Sequence, residues 1–158
     1  MIALLQRVKT ASVTVADEEI ANIRQGLLVL LGVEKNDDAV VAAKLAEKIL
    51  KYRMFSDKED KMNLSVIDIQ GYVLMVPQFT LVADTQKGLR PSFSRAAPPE
   101  KGFALFTQLV DIMHDMGHDL VQEKGGKLKQ NWLQTGKFGA DMDVALVNDG
   151  PVTFSLKS

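Results

Sequence analysis

The chain has 158 residues, 46% of them hydrophobic and 25% charged, which suits one folded domain over residues 1–158 and excludes a disordered chain. It has no cysteine, so disulfides and thiolate-bound metals are excluded. Its net charge of −1 argues against tight, indiscriminate binding along a nucleic-acid duplex, though not against a grip on one end of an RNA.

Residues 2–8 and 12–15 predict two short strands, and residues 18–23 a weaker third. Gly26 opens the longest apolar run, residues 27–31, which predicts a strand buried on both faces and is too short to span a bilayer. The first seven residues carry no basic leader and no long apolar stretch, so they do not read as a secretory signal. A cytoplasmic protein with no membrane partner is expected. Asn36-Asp37-Asp38 is a helix start, and Val41, Leu45, Ile49 and Tyr52 follow at helical spacing, so a helix is predicted over 37–52.

Residues 57–63 are polar and predict a loop, and residues 72–76 a strand after Gly71. Residues 86–99 are rich in Gly, Pro and Ser and predict a long surface loop of the functional kind. Pro98-Pro99 then precedes Phe103, Phe106, Leu109, Val110 and Met113, the apolar stripe of a second helix. Residues 123–131 are polar with Gly125-Gly126 and predict an exposed excursion. Residues 143–147 and 152–156 predict two strands separated by Asn148-Asp149-Gly150-Pro151. The fold class is α+β: one domain, a curved or barrel-like sheet with two main flanking helices.

Common catalytic signatures are missing: no cysteine nucleophile, HExxH, GxSxG or P-loop occurs. His114 and His118 stand four apart and could ligate a metal from one helical face, but no third ligand is evident, and a solvated pair is the simpler reading. Two stretches carry unusual residue choices. Pro77-Gln78-Phe79-Thr80 follows an apolar strand; the proline ends ladder donation, and the amides after it could face a ligand and stabilise an oxyanion. The alternative is a strand bulge with a structural threonine. Asn148-Asp149-Gly150-Pro151 is strong turn chemistry with an X–Pro bond that could be cis; the alternative is an ordinary hairpin turn.

These residues, taken in order, resemble the D-aminoacyl-tRNA deacylase family. The resemblance runs from the opening Met1-Ile2-Ala3-Leu4-Leu5-Gln6-Arg7-Val8, through residues 26–33, Tyr52-Arg53-Met54-Phe55-Ser56-Asp57 and Gln78-Phe79-Thr80-Leu81. It continues through residues 83–88, Arg90-Pro91-Ser92-Phe93 and Gly139-Ala140-Asp141-Met142 to Asn148-Asp149-Gly150-Pro151-Val152-Thr153. The family's activity is hydrolysis of the ester joining a D-amino acid to the 3′-terminal adenosine of tRNA.

The resemblance implies a homodimer with two active sites at the interface, no cofactor and no metal. Gly150-Pro151, cis in the family, would enter the partner's site and hold the substrate's amino group with two parallel carbonyls. D-aminoacyl and glycyl esters would fit there, and L-forms would meet the wall. Arg7 would brace that element. Phe79 would donate its N–H to the oxyanion, and Gln78 and Phe138 would line the pocket for the terminal adenosine. Thr80 would position the substrate, because no base stands ready to activate its hydroxyl, and water aided by the substrate's own ribose hydroxyl would attack.

The sequence departs from the family at Pro77, where serine is usual, and in a longer connection over residues 123–131 bearing Lys124, Lys127 and Lys129, read as a tolerated surface insertion rather than a reach along the tRNA acceptor stem. A sister branch with relaxed selectivity also carries proline there, but it lacks the phenylalanine and the arginine kept here as Phe79 and Arg7. Strict D-selectivity is therefore expected. Lys87, Arg90 and Arg95 in the long loop are candidates for phosphate contact, and Trp132 for a packing anchor of the longer connection. Asp141 and Asp143, with one residue between them on a strand-like stretch, could be read as a catalytic pair but are read as structural. The contrasting readings are a non-catalytic module that binds an RNA end and an editing accessory of a synthetase.

Overall fold

The computed structural model describes residues 1–86 and 88–158. In chain order the elements are β1 (Ile2–Val15), β2 (Glu18–Ile23), β3 (Gly26–Gly32), α1 (Ala39–Lys51), β4 (Phe55–Ser56), β5 (Met62–Leu64) and β6 (Tyr72–Pro77). After β6 come a 3-10 turn (Phe79–Val82), α2 (Pro99–Glu123), β7 (Leu133–Thr135) and β8 (Asp143–Lys157). No described helix is long and apolar enough to cross a membrane.

β1 organises the sheet. One of its edges carries antiparallel β8 along almost its whole length, from Ile2 opposite Lys157 to Thr14 opposite Asp143. Its other edge is shared: residues 2–8 pair with β3, and residues 11–15 with β2. β3 continues parallel to β6, and β6 parallel to β7. The gap between β7 and β2 is bridged by one side chain. The Gln134 carboxamide accepts from the Asn22 N–H at 2.9 Å and donates to the Asn22 carbonyl at 2.7 Å, as a strand neighbour would. The sheet is thereby nearly closed into a barrel.

Two apolar clusters follow from that curvature. Val8, Ala11, Val13, Ala21, Ile23, Leu28, Leu74 and Val76 fill one side of the sheet. Its other side packs against both helices through Leu5, Leu27, Val29, Val73 and Met75, which meet Leu45, Ile49 and Leu50 of α1 and Leu109 and Met113 of α2. β3 faces both clusters, which is why its run is apolar without alternation. Each fully buried leucine or isoleucine here contributes about 2 kcal/mol.

The α+β barrel with two helices is as expected, and several local expectations are corrected. Residues 2–15 form one strand, because the polar residues at its middle sit where the register with β8 shifts and the strand continues past them. The first helix begins at Ala39, capped by Asp38, whose carboxylate accepts from the Val41 N–H at 2.9 Å. Asp37 is instead buried and accepts from the Glu34 N–H at 2.6 Å. The expected loop at 57–63 contains the start of β5, paired with β4. The excursion at 123–131 is only partly exposed, because Leu128 is buried against the body and Lys124 pairs with Asp68. The largest correction concerns Asn148-Asp149-Gly150-Pro151, which does not reverse the chain: β8 runs through it.

Candidate active site

The first part of the site grows from the end of β6. Pro77 still pairs with Leu31, and the Gln78 N–H makes the last ladder bond, to the Leu31 carbonyl at 2.7 Å. The chain then tightens into the 3-10 turn, closed by Leu81 N–H to Gln78 carbonyl at 3.2 Å and Ala83 N–H to Thr80 carbonyl at 3.1 Å. The first amides of such a turn have no acceptor within it. Neither the Phe79 nor the Thr80 amide has one among the described residues. A simple bulge is thus replaced by a turn with two free donors. The Thr80 hydroxyl accepts from Gln78 Nε2 at 2.6 Å, and no histidine, lysine or carboxylate among the described residues is hydrogen-bonded to it.

A pocket of about 520 Å3 opens beside this turn, walled by Pro77, Gln78 and Phe79 on one side and by Phe106, Phe138 and Met142 on the others. Phe138 is fixed by α2: its ring lies 5.5 Å from that of Phe103 and 6.2 Å from that of Phe106. Gly102 makes room, since a Cβ there would stand 3.3 Å from the Phe138 ring. Phe79 is 62% exposed at the pocket mouth, and Phe93 of the long loop packs its ring 5.2 Å away. The sequence-derived residues Gln78, Phe79 and Phe138 therefore share one cavity. Asp141 also lines it, whereas Asp143 begins β8 and does not.

The second part lies on the β1–β8 ladder. Gln6 pairs with Thr153 and Val8 with Asn148, so residues 149–152 bulge out opposite Arg7 alone. Asn148 closes the base of the bulge: its Oδ1 accepts from the Val152 N–H at 2.7 Å, and its Nδ2 donates to the Thr153 hydroxyl at 3.2 Å. Arg7 joins the bulge to the connection between α1 and β4, with Nε donating to the Asp149 carbonyl at 2.8 Å and an η nitrogen to the Met54 carbonyl at 2.8 Å. The Gly150-Pro151 peptide is cis, and Gly150 has φ +151°. A Cβ at Gly150 would stand 2.6 Å from Val152 Cγ2 and 2.8 Å from its amide nitrogen, so only glycine fits. Gly150 and Pro151 are exposed, and neither they nor Arg7 line this chain's own pocket.

Sequence reasoning misses Asn148 and Phe93 as site residues. A carboxamide directly before the bulge and an aromatic in the long loop are the signals that point to them. Of the cationic candidates, Arg95 is tied by an ion pair to Glu34 at 2.9 Å, Arg90 is exposed, and Lys87 lies outside the described residues. The Glu34 carboxyl is held below its usual range, because Lys157 and Arg95 outweigh the burial that would raise it. His114 and His118 are exposed on α2 with ring centres 4.7 Å apart.

A nearly closed barrel with two helices, a pocket beside two free amides and an exposed Gly-Pro bulge define a fold with solved neighbours. One, named c-Myc DNA Unwinding Element Binding Protein, is 36% identical, with a TM-score of 0.89 over 100% of this chain and 99% of its own. A second, described as a probable eukaryotic D-amino acid tRNA deacylase, is 16% identical and shares the fold, with a TM-score of 0.83 over 99% and 98%. The model of the D-Tyr-tRNA(Tyr) deacylase family matches residues 4–157, and the chain belongs to that family. It is 55% identical to the D-aminoacyl-tRNA deacylase of Idiomarina loihiensis and 56% identical to that of Haemophilus influenzae (strain PittEE), in each case over 99% of both chains.

Proposed function

We propose that this chain hydrolyses the ester between a D-amino acid and the 3′-terminal adenosine of its tRNA. Family membership and full-length relatives above half identity support the reaction. The observation that carries the mechanism is the pair of unpartnered amides at Phe79 and Thr80 beside the Phe138-walled pocket.

In this reading the adenosine lies in the pocket against Gln78 and Phe138, and the ester carbonyl oxygen faces the two amides. Water adds to the carbonyl carbon, aided by the neighbouring ribose hydroxyl, and the amides stabilise the oxyanion that forms. Collapse breaks the bond to the ribose oxygen, which takes a proton, releasing tRNA and the free D-amino acid. Gln78 holds the Thr80 hydroxyl, so Thr80 serves in positioning.

Chirality is sorted by a second subunit. The exposed bulge at Gly150-Pro151 is rigidly based on Asn148 and Arg7 yet stands outside its own pocket, which supports its entering the pocket of a partner in a homodimer. Its carbonyls hold the substrate amino group, so that a D side chain or the hydrogen of glycine points to open space. An L side chain meets backbone. The outer edge of β8 has no strand partner among the described residues, and Leu146 and Val147 on it are exposed, which leaves that edge open to such a partner.

Purified protein incubated with D-tyrosyl-tRNA is expected to release D-tyrosine without added metal or cofactor. Binding of tRNA with no release would favour a non-catalytic nucleic-acid module, a reading for which the name of the 36%-identical neighbour speaks.

A further inference from the structure

The far half of α2 and the chain after it enclose a second cavity, of about 430 Å3, that the reaction above does not use. His114 and His118 on the helix, and Lys127, Gln130, Asn131 and Trp132 after it, form its walls. It is a built feature. Trp132 is 3% exposed and lies so close on α2 that a Cβ at Gly117 would stand 2.5 Å from its ring. The His118 ring stands edge-on to the indole, 6.3 Å away. The segment is pinned at one end by Lys124 on Asp68 and at the other by the Lys129 ammonium, 4.8 Å above the Tyr72 ring.

The wall chemistry is one-sided. Its polar groups end in ammonium, imidazole and carboxamide, and no carboxylate is among them. Lys127 has no ion-pair partner among the described residues. Asp115, next to His114 on α2, touches its Nδ1 at 3.4 Å and is not among the lining residues. In a chain of net charge −1 this concentration of donors suits an acceptor-only anion. A phosphodiester is such an anion. α2 also links this cavity to the first, because Phe106 lines one and His118 the other. The step of twelve residues between them spans about 18 Å of helix. An RNA whose 3′ end occupies the first pocket has backbone phosphates at that distance.

We propose that the cavity bounded by His114, His118, Lys127 and Asn131 receives a backbone phosphate of the tRNA, giving the substrate a second contact far from the scissile ester. This rests on the deacylase reading, and the test separates the two.

Lys127→Ala/Lys129→Ala and Lys127→Glu are compared with the unaltered chain on D-tyrosyl-tRNA and on D-tyrosyl-adenosine, which has no phosphate to place there. Binding of uncharged tRNA is measured alongside. The expected result is a KM for the tRNA raised about fivefold to tenfold, a salt dependence shallower by about one phosphate contact, and an unchanged KM for the adenosine ester. Affinity for uncharged tRNA falls in step. An unchanged KM for tRNA in both variants, or an equal change on both substrates, overturns the proposal. If the unaltered chain cleaves neither ester but binds tRNA through Lys127, the deacylase reading fails and the phosphate contact stands.

Discussion

Arg7 and Asp149 are 142 residues apart in sequence, yet the Arg7 guanidinium donates to the Asp149 carbonyl at 2.8 Å. That bond spans the larger of the two register shifts in the β1–β8 ladder, the one between Gln6 and Val8, and fixes where Gly150-Pro151 stands. The Arg7 side chain is only 12% exposed, and its second bond, to the Met54 carbonyl, ties the bulge to the connection between α1 and β4. Arg7→Ala leaves two half-buried carbonyls without their donor and is expected to cost about 2–4 kcal/mol in denaturant unfolding. D-aminoacyl-tRNA hydrolysis should fall by at least tenfold under conditions where the variant stays folded. Arg7→Lys keeps the charge but not the fork, and should fall between the two.

Gly150 separates function from folding. Its φ is +151°, and a methyl carbon added there would stand 2.8 Å from the Val152 amide nitrogen, which leaves no room for a side chain. The strain of Gly150→Ala, about 2–4 kcal/mol, falls on an exposed bulge that can shift without opening the core. Circular dichroism should show the native fold, while deacylation drops by a hundredfold or more. An active Gly150→Ala would remove the bulge from the mechanism.

Thr80 is hydrogen-bonded to Gln78 and to no base among the described residues. Thr80→Ala should therefore keep hydrolysis within about tenfold of the unaltered chain in single-turnover assays, as expected of a positioning group. A complete loss with the fold intact would restore a covalent threonine mechanism.

Asp68 anchors the loop after α2. Burial alone would raise its carboxyl, but hydrogen bonds from Lys124 and Ser65 bring it down to about 2. A carboxyl depressed in the folded state adds stability above its unfolded value near 4 and loses it as pH falls through the folded value. Unfolding free energy should thus decline by about 1–2 kcal/mol from this group between pH 4 and pH 2, after allowance for solvent screening of the exposed lysine. Lys124→Ala should flatten that part of the profile.

Much of this architecture is legible in the sequence where one local pattern dictates one outcome. β3 is an apolar run because it is covered on both faces, and the stripe from Phe103 to Met113 marks the face of α2 that meets the core. Gln78, Phe79 and Phe138 line one pocket. What stayed hidden depends on distant partners. Asn-Asp-Gly-Pro has the composition of a turn, and only Arg7 and the Asn148 carboxamide make it a bulge from which β8 resumes. β7 has three residues, too few for a period, and Gln134 looks like a surface residue until its amide is seen to join Asn22. Leu128 sits among lysines and glycines, so its burial could not be read from its neighbours.

In the proposed reaction, main-chain carbonyls at Gly150 and Pro151, offered by one subunit to the pocket of another, accept or reject a substrate by its handedness. The decisive measurement is single-turnover deacylation of D-tyrosyl-, L-tyrosyl- and glycyl-tRNA side by side. Rapid release from the D-tyrosyl and glycyl esters with negligible release from the L-tyrosyl ester is the predicted result. Equal rates on the two tyrosyl enantiomers would contradict it.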